Sequence, residues 1–502
     1  MAGLEPSEVV ERLTAEGYNA TREAVEALSR MPDADALLAS LADEAVESAV
    51  LTREDIGIDS RARSDGERRG DTAAEDDVEA GSDDAVAPSD KTRGGQSKST
   101  GRLKSRTTGD RQPREPEVRG DVTGRSTCTG ELDDFVDLFR SRYRVLRDVL
   151  DGRLSPRTVA SVTGGRATSL VGLVGDVRRT RSDNRLVELE DPTGSINVVL
   201  SGDDVGVADS LVRDEVIGVE GRASSDGGVV YADEVYLPDV PRDNEPSTAD
   251  RDVEAVLVSD VHVGSDTFVE DLWSDFTSWL RDRDSVEYVL VGGDLVEGVG
   301  IYPGQDDELV TADLYSQYEE CAERFRELPD DVEIVAITGN HDTVRLAEPQ
   351  PALPEEFQKP FDSHVRFTGN PSTVSIEGVD VLMYHGVSLN PFAELLPDVS
   401  IESPETAMRH MLRKRHLAPM WGRVRLAPER QDYLAIDEIP DVLHTGHTHT
   451  VGADVYRGVR TVNTGAWQSQ TDYQRAMNIQ PDVGYAAVLD LSSLDLDFKR
   501  FR

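Results

Sequence analysis

The spacing of apolar and polar residues divides the chain into five stretches. Residues 4–50 repeat apolar positions at helical intervals through Val9, Val10, Leu13, Tyr18, Val25, Leu28, Leu37, Leu38, Leu41 and Val46, with Ser7 and Thr21 placed as N-caps. This predicts a small helical module over 1–52. Residues 53–130 are rich in Asp, Arg, Gly, Ser and Thr, and no aromatic residue occurs between Tyr18 and Phe135. Such a segment has too little to bury and is expected to be disordered. Helical spacing returns over 131–155 through Phe135, Leu138, Phe139, Val145, Leu146, Val149 and Leu150. Over 156–243 the runs Leu170–Val177, Leu186–Leu189, Ile196–Leu200, Val216–Glu220 and Val229–Tyr236 read as strands parted by turn signals, which predicts a small Greek-key barrel. In 252–502 the apolar runs Ala255–Val258, Tyr288–Val291, Ile334–Ile337, Val379–Met383 and Val442–Leu443 alternate with helical stretches such as Asp271–Arg281 and Tyr315–Leu328. That alternation predicts a two-sheet α/β sandwich, and the whole chain reads as an α+β multidomain protein.

Charge changes the picture in one respect. The chain has 502 residues, 97 of them acidic and 53 basic, for a net charge of −44. Only six of the basic residues are lysines. An acidic, lysine-poor surface reads as adaptation to a salt-rich cytoplasm, where repulsion is screened over a few ångströms; a partner-specific acidic face is the competing reading. Net charge therefore excludes no nucleic-acid partner. The segment 71–90 has eight acids and no base, whereas 91–125 has ten bases and four acids. These blocks suit either a phosphate-gripping arm or a linker whose halves pair with each other. Cys128 and Cys321 give no disulfide framework and suit a reducing interior, and Met1–Ser7 has no signal-peptide character. No apolar run approaches the ~20 residues that span a bilayer. A cytoplasmic protein without membrane contact is expected.

Candidate chemistry is concentrated at the ends of the predicted strands of 252–502. Asp260-Val261-His262, Gly292-Gly293-Asp294, Gly339-Asn340-His341-Asp342, His385-Gly386 and Gly446-His447-Thr448-His449 each follow an apolar run, and they contain five of the nine histidines. Open α/β sheets place their sites at carboxyl ends of strands. Two divalent cations need a bridging carboxylate, for which Asp294 is the candidate. Asp260 and His262 alternate along an extended segment and can face one cation; Asn340 offers a neutral amide oxygen, His385 a second-site imidazole, and His447 and His449 one ligand for each ion. Asp, Asn and His without thiolate favour Mn²⁺, Fe or Zn²⁺, with Mn²⁺ leading. His341, if not a ligand, can stabilise phosphorane charge or protonate the leaving oxygen, and Asp342 is expected to orient that imidazole. Singly, each motif is commonplace; His364, His410, His416 and His444 lack this context and read as structural, His444 standing near enough to lie behind the ligands.

The ordered set of five motifs resembles the calcineurin-like metallophosphoesterases over about residues 253–490. The resemblance implies that Asp260, His262, Asp294 and His449 hold one metal, that Asp294, Asn340, His385 and His447 hold the other, and that His341 is the catalytic imidazole. The order of helical module, linker, barrel of the oligonucleotide-binding (OB) kind and four-layer phosphoesterase domain is similar to the small subunits of archaeal family D DNA polymerases, as are Gly298–Gln305, Met408–Trp421 and Asp432–Leu434 ahead of Pro440-Asp441. That resemblance implies a 3′→5′ proofreading exonuclease bound to a large catalytic subunit and acting on single-stranded DNA or a primer 3′ end. It also implies an archaeal, nucleoid-associated setting. The accessory subunits of eukaryotic replicative polymerases share the layout but have lost the ligands. Related double-strand-break repair nucleases carry a histidine three residues after the bridging aspartate, where this chain has Glu297. The run Arg409, Arg413, Lys414, Arg415 and His416 is expected to form a basic helical face, steering DNA or contacting the large subunit. The competing functions are a stand-alone phosphatase or cyclic-nucleotide phosphodiesterase, and an idle polymerase scaffold.

Overall fold

The computed structural model describes residues 113–502, apart from residues 128, 129, 203 and 303, together with isolated positions before residue 52. The helical module predicted over 1–52 and the charged segment as far as 112 otherwise lie outside the described residues.

The expected disordered linker ends well before 130. Glu117–Arg119 (β1) forms an antiparallel edge strand on a sheet of the C-terminal domain, against Ser372–Ile376 (β11). Its own composition supports no core, so it borrows an existing sheet edge. Arg119 ties it down through Asp380 (2.5 Å) and Glu438 (2.8 Å).

Helix α1 (Leu132–Asp151) lays Leu146 and Leu150 on the barrel residues Val171 and Val216. The barrel strands are Ala167–Arg179 (β2), Arg185–Asp191 (β3), Gly194–Leu200 (β4), Val216–Ala223 (β5) and Val229–Tyr236 (β6), closing in the order β2-β3-β4-β6-β5. The inward residues Leu170, Val174, Val187, Leu189, Val198, Val219 and Val230 fill the interior. Closure leaves no open sheet edge.

The C-terminal domain holds two six-stranded sheets. The first contains Glu254–Val258 (β7), Val286–Val291 (β8), Glu333–Ala336 (β9), Val365–Phe367 (β10), Tyr485–Asp490 (β16) and Leu496–Arg500 (β17), in the order β10-β9-β8-β7-β16-β17. The second runs β14-β15-β13-β12-β11-β1, from Val379–Met383 (β12), Val442–Thr445 (β13), Gly452–Tyr456 (β14) and Val459–Asn463 (β15). Strand periodicity assigns the layers: Val256 and Val258 of β7 pack under the helices α2 (Glu270–Arg281) and α3 (Leu314–Phe325), while Ala255 and Leu257 join Val374, Val381 and Val442 between the sheets. Helices α4 (Leu389–Leu395) and α5 (Glu405–Lys414) cover the far side with Phe392, Met408, Met411 and Leu412. The order is helix, sheet, sheet, helix. β7, β8 and β9 are mutually parallel, as are β12, β13 and β15, so the carboxyl ends of the central strands of both sheets can meet at one end of the sandwich.

The expected basic face on 409–416 is not present. Lys414 is buried and bonds the barrel residue Glu215 (2.7 Å) and the Ser210 carbonyl (2.7 Å). Arg415 donates to the carbonyls of Ile436 and Asp437, and His416 lies 2.9 Å from Asp432. Arg409 pairs with Asp454 (2.5 Å). The last turn of α5 therefore fastens the C-terminal domain to the barrel. Arg142 of α1 completes the clamp, reaching Asp432 (2.6 Å) with both side chains buried. No described helix is long and apolar enough to cross a membrane.

Candidate metal centre

Each predicted ligand sits where a strand ends. After β7 and β8 the two loops run side by side and share backbone bonds: Asp260 N–H donates to the Gly293 carbonyl (3.0 Å), and Val261 N–H (2.8 Å) and His262 N–H (3.1 Å) to that of Asp294. Asp260, His262, Asp294, His447 and His449 all have positive φ, between 51° and 67°. Such backbone costs on the order of 1 kcal/mol or more per residue and persists where surrounding structure imposes it. Glycine lets the loops close: a Cβ on Gly339 would collide with the Asp294 carboxylate, and one on Gly446 with that of Asp260.

The described residues contain three groups whose ligand atoms lie within 4.8 Å of one another: Asp260, His262 and His449; Asp294, His385 and His447; and His262, Glu297 and His341. Asp294 joins the first two. Its Oδ1 accepts the His341 N–H (2.8 Å), while Oδ2 lies 3.8 Å from His262 Nε2 and 3.2 Å from His385 Nε2. Asn340 Oδ1 is 3.1 Å from His385 Nε2, and His449 Nε2 is 3.3 Å from Asp260 Oδ1. The seven predicted ligands therefore converge.

Hydrogen bonds behind the ligands set the imidazole tautomers. His262 Nδ1 faces Glu297 Oε2 (2.9 Å), so it carries the proton and leaves the Nε2 lone pair inward. His385 Nδ1 donates to the Gly292 carbonyl (2.8 Å), with the same result. A carboxylate or carbonyl behind a histidine is the arrangement that metal-binding imidazoles require. His262 Nε2 and His449 Nε2 lie 3.0 Å apart, two lone-pair positions aimed into one space. The residues present fit a pair of divalent cations.

Burial alone would raise the carboxyl groups here, yet neighbouring imidazoles hold Asp260 low and Asp294 well below the usual range. Burial opposes charge on His385, but Asp294 pushes it up to about 10. In the cation-free chain a proton thus occupies His385 at neutral pH, and a cation bound through that imidazole must displace it. Divalent binding is expected to release roughly one proton per chain near pH 7, read by calorimetry in buffers of differing ionisation enthalpy. Binding with no proton release would rule out His385 as a ligand.

One expectation changes. Asp342 does not orient His341. It accepts from Gly339 N–H (2.8 Å), Leu295 N–H (3.2 Å) and the Tyr318 hydroxyl (3.1 Å), bracing the loops that carry Asn340 and Asp294. His341 Nδ1 instead meets the Glu297 carbonyl (2.7 Å). Glu297, noticed in the sequence only as a departure, holds His262 with its carboxylate and His341 with its backbone. Gln468, Gln305 and Tyr302 all donate to that carboxylate. Burial would raise Glu297, but His262 and His341 keep it at about 2. Gln474, whose amide lies 2.9 Å from His449 Nδ1, gave no sequence signal. His444 stays behind the site, 3.3 Å from Thr464 Oγ1.

The site opens into a cavity of about 310 Å³ lined by His341, Asn390, Ile401, Tyr302, Tyr473 and most of the ligands. Larger hollows of about 490 and 680 Å³ lie beside the barrel, and no such ligand group lines them.

A four-layer sandwich carrying this ordered ligand set defines a calcineurin-like phosphoesterase, and the Calcineurin-like phosphoesterase superfamily domain matches residues 253–482. The chain is 46% identical to the DNA polymerase II small subunit of Halobacterium salinarum, over 99% of both chains. It is 42% identical to that of Archaeoglobus fulgidus, covering 73% of this chain and 77% of the relative, and 42% identical to that of Methanothermobacter thermautotrophicus, covering 76% and 82%. The chain belongs to the DNA polymerase II small subunit family.

Proposed function

We propose that this chain is a divalent-metal-dependent 3′→5′ exonuclease that proofreads for a large polymerising subunit. The observation that carries this reading is the position of Asp294 Oδ2 between the inward nitrogens of His262 and His385. Asp260, His262, Asp294 and His449 would hold one cation, and Asp294, Asn340, His385 and His447 the other. Bound there, the pair would supply Lewis acidity toward the phosphate and a water acidified for attack. The thiolate-free donor set suits Mn²⁺.

The chain's own part centres on His341. Its Nδ1–H is committed to the Glu297 carbonyl, so Nε2 is the nitrogen that exchanges protons. Burial opposes its protonation, but the Asp294 and Glu297 carboxylates raise its pKa above the ordinary value. From that position Nε2 can carry a proton to the departing 3′-oxygen. The relatives' designation as small subunits supports a large catalytic partner. The barrel's strand order supports the OB reading; its contacts with α1 and α5 support a packing role.

The test uses the full chain with Mn²⁺ and 5′-labelled DNA, single-stranded and as a mismatched primer–template. Stepwise shortening from the 3′ end is expected, and His341→Ala should slow it by roughly 10²- to 10⁴-fold. Turnover of p-nitrophenyl phosphate without DNA shortening would establish a phosphatase instead.

A further inference from the structure

We infer that Tyr473, backed by Tyr302, is the platform on which the terminal nucleobase of the substrate stacks. This rests on the exonuclease reading and adds a subsite to it. Tyr473 belongs to the short helix α6 (Asp472–Ala476), at the rim of the cavity, and its ring is half exposed. One face lies against Tyr302, with centroids 5.4 Å apart and planes 30° from parallel. Tyr302 is itself fixed, its hydroxyl set 3.0 Å from Glu297 Oε1 and 2.6 Å from Glu308 Oε2, and its ring sits 6.3 Å from that of His341. The platform is thus tied to the catalytic imidazole on one side.

It is tied to the metal ligands on the other. Thr471 and Gln474 form a reciprocal cap at the start of α6, and the Gln474 amide meets His449 Nδ1. Asp472 N–H donates to Glu308 (3.1 Å). A ring presented from so short a helix would wander; these bonds hold it in register with the phosphate position.

Two further observations say what the platform is for. No lysine or arginine is among the described residues lining the cavity, so the grip on a strand there cannot come from cationic side chains. The lining instead adds the apolar side chains Ile301, Ile401 and Ile479, with Ile401 exposed to 37%. Exposed apolar surface around a polar catalytic pocket marks a binding surface. Stacking is also a contact that high salt does not screen, unlike phosphate pairing, which suits a chain of net charge −44. A cavity of about 310 Å³ is at the small end of ligand pockets and admits one nucleotide rather than a duplex. A base reaches Tyr473 only after leaving its partner, so an unpaired or mismatched terminus is favoured over a paired one.

The test compares the full chain with Tyr473→Ala and Tyr473→Phe. The substrates are an oligonucleotide ending in a normal 3′ nucleotide, the same strand ending in an abasic residue, and bis(p-nitrophenyl) phosphate. The unaltered chain is expected to prefer the normal end over the abasic one by roughly tenfold to a hundredfold in kcat/KM, as base–aromatic stacking supplies. Tyr473→Ala should collapse that preference, mainly through KM, and Tyr473→Phe should keep it. An unaltered preference in Tyr473→Ala, or an unaltered chain that cuts both ends equally, overturns the subsite while leaving the exonuclease intact. Turnover of the small diester with no cutting of either strand overturns the exonuclease reading and the subsite together.

Discussion

Asp294→Ala is expected to abolish tight divalent-cation binding to the chain and to lower phosphodiester hydrolysis by more than about a thousandfold. Three effects coincide in this one carboxylate. Oδ2 lies between the two ligand groups, so neither keeps a complete set without it. Oδ1 anchors the backbone of His341, so the imidazole loses its register. His385 also loses the strongest of the groups that raise its pKa, which leaves Asp260 and the Gly292 carbonyl to oppose burial, so its pKa falls. Asp294→Asn separates these effects. It can keep an acceptor for the His341 N–H but removes the charge, and its hydrolysis should be nearly as low. Calorimetric titration with Mn²⁺ and turnover of bis(p-nitrophenyl) phosphate read both. Unchanged Mn²⁺ affinity in the alanine variant would remove Asp294 from the centre.

Asp432→Ala is expected to destabilise the chain by about 3–5 kcal/mol, the range for stripping one partner from a buried ion pair. Arg142 is fully buried, and Asp432 is its charged partner; it also donates to the carbonyls of Pro419 (2.8 Å) and Asp214 (3.0 Å) and lies over the Phe139 ring. Replacing Arg142 by Met and Asp432 by Leu together should cost less than Asp432→Ala alone, since no charge is then left buried. Urea unfolding followed by tryptophan fluorescence measures both, and Trp421, stacked on Phe135 and Phe139, reports on the junction itself. Burial alone would raise Asp432, but Arg142 and His416 hold it well below the usual carboxylate range. The stabilisation is therefore present above the ordinary carboxylate value and is lost as pH falls below it. Acid should destabilise the unaltered chain more than the alanine variant over that range.

The barrel, the central strands of the sandwich and the convergence of the candidate ligands were legible because all obey short-range rules. Alternating and continuous apolar runs located the five barrel strands and five of the twelve sandwich strands within a few residues, and metal chemistry restricts its donors to few residue types at strand ends. What acts from a distance was not legible. Glu297 and Gln474 orient ligands from behind, and nothing in their own neighbourhoods distinguishes them from surface residues. Asp342 was misassigned because adjacency to His341 suggested contact, whereas the turn points its carboxylate at the backbone of two other loops. The basic run at the end of α5 reads as a solvated face because helix-end cations are usually exposed. Its partners Glu215 and Asp432 come from the barrel and from a later loop, and one-dimensional spacing does not bring them together. Arg142 was hidden in the same way, as a charge in an amphipathic helix.

The left-handed backbone at five ligand positions has a consequence for how such a centre disappears. Asp260, His262, Asp294, His447 and His449 hold φ values that glycine or asparagine adopts at lower cost. A lineage released from hydrolysis could exchange these residues and relieve backbone strain, offset where a side chain such as Asp294 also anchors a neighbouring loop. Relief of that backbone strain would favour decay of the centre wherever hydrolysis is no longer needed.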